Sequence, residues 1–98
     1  MRLDPYMKEI ERLCKTYNVR SLYAFGSVLN SQYNAKSDID LLVDFADIKL
    51  EDYADNFFDF KFSLQEILKR PVDLIEEKAI RNPYLKKSID QNRQLIYG

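Results

Sequence analysis

Gly26-Ser27 and Asp38-Ile39-Asp40 are separated by ten residues, and Asp73 follows later inside the run Val72-Asp73-Leu74-Ile75. Residues two apart in a strand project from the same face. Asp38 and Asp40 therefore share one side, while Ile39, Leu41, Val43 and Phe45 share the other. The apolar set belongs against helices, which leaves the aspartates on a face that helices do not cover. Two carboxylates roughly 6–7 Å apart repel by about 2–3 kcal/mol at an effective dielectric of about 20. A divalent cation reverses the sign of that interaction, and Mg²⁺ takes oxygen ligands, one or two carboxylates plus substrate phosphates. Asp73 sits between core-type Val72 and Leu74, so it faces the same side if its strand lies beside the first. Three carboxylates can hold two metal ions, the arrangement that clamps the attacking and leaving oxygens of an in-line displacement.

Gly26 and Ser27 supply the other half of such a site. A glycine at a strand end permits close backbone approach, and a following helix N-terminus with a serine hydroxyl offers donors to an anion. Alone, a Gly-Ser pair is a turn and an Asp-x-Asp a solvated strand end. Both together at this spacing arise by chance on the order of one time in a thousand at average composition. Carboxylates for metal on one side and a phosphate cradle on the other describe a nucleoside triphosphate site.

Composition removes the competing chemistries. There is no His, which excludes Ser-His, Cys-His and His-metal mechanisms, and a single Cys (Cys14) excludes an internal disulfide or thiolate zinc cluster. Gly26 is the only glycine before Gly98, so neither a P-loop nor a G-x-G-x-x-G fingerprint is available. Fifteen Lys+Arg against sixteen Asp+Glu give a net charge of −1, which argues against general nucleic-acid binding. No apolar run approaches the roughly 18–20 residues of a membrane span, and Met1-Arg2-Leu3-Asp4-Pro5 leads into charged residues rather than an apolar signal region. These features predict one cytoplasmic domain over residues 1–98.

The elements that must position these residues follow from periodicity. Asp4-Pro5 reads as a cap and first turn, and Tyr6, Ile10, Leu13, Cys14 and Tyr17 form the apolar stripe of a helix over 5–17. Leu22-Tyr23-Ala24-Phe25 reads as a buried strand, residues 28–34 as a short helix, and Ile39–Phe45 as a second strand. Tyr53, Phe57, Phe60, Leu64, Ile67 and Leu68 mark one face of a helix over 52–69, although Phe58, Phe60 and Phe62 also alternate with period two. Pro71 ends that helix, Val72–Ile75 is a third strand, Asn82-Pro83 opens a helix to about Asn92, and Leu95–Tyr97 is an edge strand. This order predicts an α/β (α+β) fold: a small mixed sheet with helices on one face and an open face carrying the acids.

Phe25-Gly26-Ser27, ten residues, then Ser37-Asp38-Ile39-Asp40-Leu41-Leu42-Val43 resembles the signature of the polymerase β-type nucleotidyltransferases. The small size, the Pro71-Val72-Asp73-Leu74 strand and the tail Arg81-Asn82-Pro83-Tyr84-Leu85 are similar to the minimal nucleotidyltransferases (MNT), antitoxins paired with HEPN-domain toxins. The resemblance implies a palm-like fold, with Asp38 and Asp40 binding two Mg²⁺ ions and Asp73 as the third metal-binding and catalytic carboxylate. Gly26 and Ser27 would hold the triphosphate of ATP. The implied reaction is transfer of AMP to a hydroxyl, a tyrosine of the HEPN partner, with release of pyrophosphate.

The sequence departs from that family where an arginine and a second glycine commonly follow Gly-Ser; here the stretch is Val28-Leu29-Asn30-Ser31-Gln32-Tyr33-Asn34, and Lys36 or Arg20 are the candidate replacements. This keeps open a non-catalytic module that neutralises its partner by binding alone. A small-molecule nucleotidyltransferase is a third reading, but it would need a substrate domain that 98 residues do not hold. Phe58 and Phe62 fall off the apolar stripe of their helix, which points to contact with another chain, an oligomer included. Cys14 falls on the stripe of the first helix and is expected to be buried and inert.

Overall fold

The structure, a computed structural model, describes residues 3–26 and 38–98; the expected helix at 28–34, Ser27 and Lys36 lie outside them. A single 3-10 turn, Asp4–Tyr6, leads into α1 (Met7–Thr16), followed by β1 (Val19–Phe25), β2 (Ile39–Phe45), α2 (Leu50–Leu68) and β3 (Val72–Glu76). A second 3-10 turn (Glu77–Ala79), α3 (Pro83–Asn92) and β4 (Gln94–Tyr97) complete the order. The four strands form one mixed sheet in the order β3-β2-β1-β4. β2 and β3 run parallel, joined by the α2 crossover, and both other pairs are antiparallel.

Within the described residues the expected elements are present, with shifted edges that have physical causes. Asp4 does not cap α1 from outside; it lies in the first 3-10 turn, with the buried Leu3 ahead of it. β1 begins three residues before the apolar run because Val19 pairs with Phe45 and Ser21 with Asp44, which leaves Arg20 in a bulge. Two polar residues at that bulge hid the strand from a hydrophobic pattern. α2 is a helix despite the alternation at 58–62, since the 3–4 spacing of its buried residues spans far more chain. It ends where Lys69 turns left-handed (φ 57°) and donates its N–H to Gln65 O at 2.8 Å, two residues before Pro71. At α3 the expected cap is made, Asn82 Oδ1 accepting from Tyr84 N at 2.9 Å and Leu85 N at 3.3 Å.

α1 and α2 cover one face of the sheet. Ile10, Leu13 and Cys14 from α1, and Phe60, Leu64 and Leu68 from α2, pack with Leu22, Ala24, Ile39, Leu41, Val43, Val72 and Leu74 from the strands. Phe60 is fully buried and sits tilted or edge-on to Tyr17 and Phe45, 5.9 Å from each ring centroid. Burial, with Glu11 adding a smaller repulsion, pushes the Cys14 thiol up to about 12.

Two outcomes are expected. Phe60→Ala should lose about 3–5 kcal/mol of stability in a denaturant titration, a large part of what a small domain possesses. Cys14 should resist a thiol reagent at neutral pH in the folded chain and react at the rate of an ordinary cysteine once the chain is unfolded.

Candidate active site

The parallel register of β2 and β3 decides where the acids go. Ile39 N donates to Pro71 O at 3.0 Å, and Val72 N donates to Gln65 Oε1 at 3.0 Å, so both strands are anchored at their first residues. From there Ile39 pairs with Val72, Asp40 with Asp73 and Leu41 with Leu74. Ile39, Leu41, Val72 and Leu74 turn into the core, and Asp40 and Asp73 face the other way, side by side. Asp38 lies just ahead of β2 and is exposed, as is Asp73, while Asp40 is half-buried. The carboxyl of Asp40 is raised above its usual range, first by burial, then by the negative charges of Asp73 and Asp38. Both neighbouring acids thus act electrostatically on Asp40.

Gly26 closes this group from β1. Phe25, the residue before it, pairs with Asp40 across the β1–β2 ladder. Gly26 has φ +74°, and a Cβ at this position would stand 2.5 Å from Asp40 Oδ2. The left-handed backbone favours glycine first, and the Asp40 carboxylate lying against it adds a second reason, one that a phosphate-cradle reading of the sequence did not contain.

Asp44 provides an internal comparison. It lies four residues after Asp40 on the same strand and face, at the other end of the sheet. Arg20 Nη1 lies 3.2 Å from its Oδ2 and Lys78 Nζ 3.4 Å from its Oδ1. Arg20 is therefore committed there and does not replace the missing arginine, because the length of β1, about 20 Å, separates it from Gly26. Asp40 has no ion pair among the described residues. One acid of β2 is paired with two cations, and the other, among the described residues, meets the charges of two further acids.

Among the described residues, no three Asp, Glu, Cys or His side chains close into a ready-made metal cage. The donor set nevertheless fits Mg²⁺: hard carboxylate oxygens, two of them paired across the strands, for an ion that completes its shell with water and substrate phosphate. Beside the acids, Phe25 and Gly26 line a cleft of about 780 Å³ with Leu85, Ile89, Asn92 and Arg93, a volume in the range of small-molecule sites. Arg93 lies over the Tyr23 ring at 4.2 Å and holds Glu77 at 2.9 Å, spanning the middle of the acid face. Arg93 could not be singled out from the sequence, since only the return of β4 to the sheet edge brings it there.

Residues 7–96 match the nucleotidyltransferase domain family. A candidate protein adenylyltransferase of Methanocaldococcus jannaschii (MJ0128) is 40% identical over 94 residues, which cover 96% of this chain and 91% of that protein. A candidate minimal nucleotidyltransferase of known structure superposes with a TM-score of 0.78 at 24% identity, covering 95% of this chain and 91% of that one. The MNT antitoxin complexed with a tri-AMPylated HEPN toxin of Shewanella oneidensis has a fold similar to this chain's, with a TM-score of 0.67 at 19% identity; the match covers 97% of this chain and 71% of the solved one. The chain belongs to the nucleotidyltransferase domain family and has the minimal nucleotidyltransferase fold, so it is an enzyme of the nucleotidyltransferase class.

Asp40→Asn is expected to raise the melting temperature of the metal-free chain at neutral pH, because it removes a charge that burial and two neighbours disfavour. The folded chain holds this proton more tightly than the unfolded chain. The wild type should therefore lose stability as pH rises through the raised value, and Asp40→Asn should lack that component. Thermal melts across the acid range check both.

Proposed function

We propose that this chain transfers AMP from ATP to a hydroxyl group of a partner protein, a tyrosine of a HEPN-domain toxin, and thereby acts as its antitoxin. The carrying observation is the pairing of Asp40 with Asp73, against the glycine backbone and without a counter-ion among the described residues, on a strand that neutralises its other acid with two cations. The candidate adenylyltransferase relative and the antitoxin fold support the choice of AMP transfer and of partner.

In this reading Asp38, Asp40 and Asp73 would hold Mg²⁺, two ions in the full site. Bound there, the metal offsets carboxylate repulsion and draws off charge from the phosphates. Gly26 and Ser27 receive the triphosphate, and the adjoining cleft receives the remainder of the nucleotide. Asp73 orients the acceptor hydroxyl and accepts its proton. The acceptor oxygen forms a bond to the α-phosphorus, the bond from that phosphorus to the bridging oxygen of the β-phosphate breaks, and pyrophosphate leaves. The acid face lies away from α1 and α2, so an acceptor on a second chain can reach it without the core opening.

Incubation with labelled ATP, Mg²⁺ and a HEPN-domain partner protein tests the proposal. Label should appear on the partner and fall by roughly a thousand-fold with Asp38→Asn/Asp40→Asn, the loss expected for several kcal/mol of metal-dependent stabilisation. Silencing of the partner to the same degree by wild type and variant, without label, would assign the binding-only reading instead.

A further inference from the structure

The strand registers set one row of residues across the acid face. Asp73 pairs with Asp40, and Asp40 with Phe25. β4 runs antiparallel to β1 with Leu95 opposite Tyr23 and Gln94 opposite Ala24, so the next step along places Arg93 level with Phe25. Residues opposite one another share a face, and Arg93 is two from Leu95, so it falls on the acid side. The contact of its guanidinium with the Tyr23 ring, 4.2 Å from the centroid, agrees. Two inter-strand spacings, about 10 Å, separate its backbone from that of Asp40, within the combined reach of an arginine side chain and a phosphate chain.

Arg93 is also the one charged side chain among the described residues that line the cleft beside Gly26. The rest of that lining is apolar, as at Phe25, Leu85 and Ile89, or polar and uncharged, as at Ser88 and Asn92. The two ion pairs of Arg93, to Glu77 at 2.9 Å and Asp90 at 3.4 Å, are both made by Nη1. Neither uses the edge formed by Nε and Nη2, which can take two oxygens of one phosphate at once. Glu77 and Asp90 are partly exposed, so these pairs hold the arginine weakly against a more highly charged anion.

We propose that Arg93 binds the phosphate chain of the nucleotide from the side opposite the metal-holding acids. The inference rests on the AMP-transfer reading and adds to it a protein cation beside the acid end. Carboxylates and phosphates carry charge of the same sign, and a guanidinium lining the cleft offsets the charge that builds on the departing pyrophosphate. Arg20 cannot do this from the far end of β1. Stacking on Tyr23 holds the guanidinium in place before the nucleotide arrives, which lowers the entropy cost of binding.

Calorimetric titration of the full chain with α,β-methylene-ATP and Mg²⁺ tests this, with thermal melts confirming that each variant is folded. Arg93→Gln should weaken binding roughly tenfold or more, the loss expected for charge-assisted hydrogen bonds. Glu77→Gln breaks the same ion pair but keeps the guanidinium; it should bind no more weakly than wild type, since it removes a competing negative charge. On wild type, the analogue with Mg²⁺ should slow the reaction of Arg93 with phenylglyoxal, followed by mass spectrometry, and this measurement decides the matter if Arg93→Gln does not fold. Undiminished binding by folded Arg93→Gln, a loss in Glu77→Gln equal to that in Arg93→Gln, or an Arg93 modified equally fast with and without the analogue overturns the proposal and leaves AMP transfer standing. A wild type that binds no analogue in the presence of Mg²⁺ overturns both.

Discussion

Two like charges held face to face across a pair of parallel strands are the constraint around which this molecule is arranged. Asp40 and Asp73 are register partners, and adjacent strands are roughly 5 Å apart. At that spacing two carboxylates repel by about 1–3 kcal/mol for effective dielectrics between roughly 80 and 20. The aspartates have no freedom to separate by strand slippage, since a one-residue shift would turn Ile39, Leu41 and Val43 out of the core. The apolar face thus fixes the acidic one. Stability is stored on the helix side of the sheet and a local electrostatic deficit is kept on the other.

The remainder of the acid face shows that this deficit is local. Asp44 is ion-paired with Arg20 and Lys78, and Arg93 lies on Tyr23 while reaching Glu77 and Asp90. Leu42, which shares this face, is buried, and its cross-strand neighbour is the Tyr23 under Arg93. The face is therefore in large part closed by its own side chains. It leaves an acidic end where β1 reaches Gly26, bordered by the cleft along α3.

Much of this was legible in the sequence because the signals were local. The period-two run from Ile39 to Phe45, the 3–4 spacing through Phe60 and Leu64, Pro71 and the Asn82-Pro83 cap each act within a few residues of themselves. The facing of Asp40 and Asp73 away from the core followed from alternation once β3 lay beside β2. The rest depended on contacts between residues distant in sequence. Arg20 looked available for phosphate, but its bulge and its pairing with Asp44 arise only when β1 meets β2. Gly26 looked like an anion cradle, and its immediate neighbour proved to be the Asp40 carboxylate. Arg93 is an ordinary arginine in the chain, brought onto Tyr23 by the way β4 returns beside β1.

Calorimetric titration with α,β-methylene-ATP, in which carbon replaces the bridging oxygen of the bond that AMP transfer breaks, with and without Mg²⁺, on wild type and Asp40→Asn tests most directly whether that deficit is a metal–nucleotide site. The account predicts that wild type binds the analogue only with Mg²⁺ present and that Asp40→Asn, though folded, does not bind it. Equal binding by wild type with and without Mg²⁺, or undiminished Mg²⁺-dependent binding by Asp40→Asn, would contradict it.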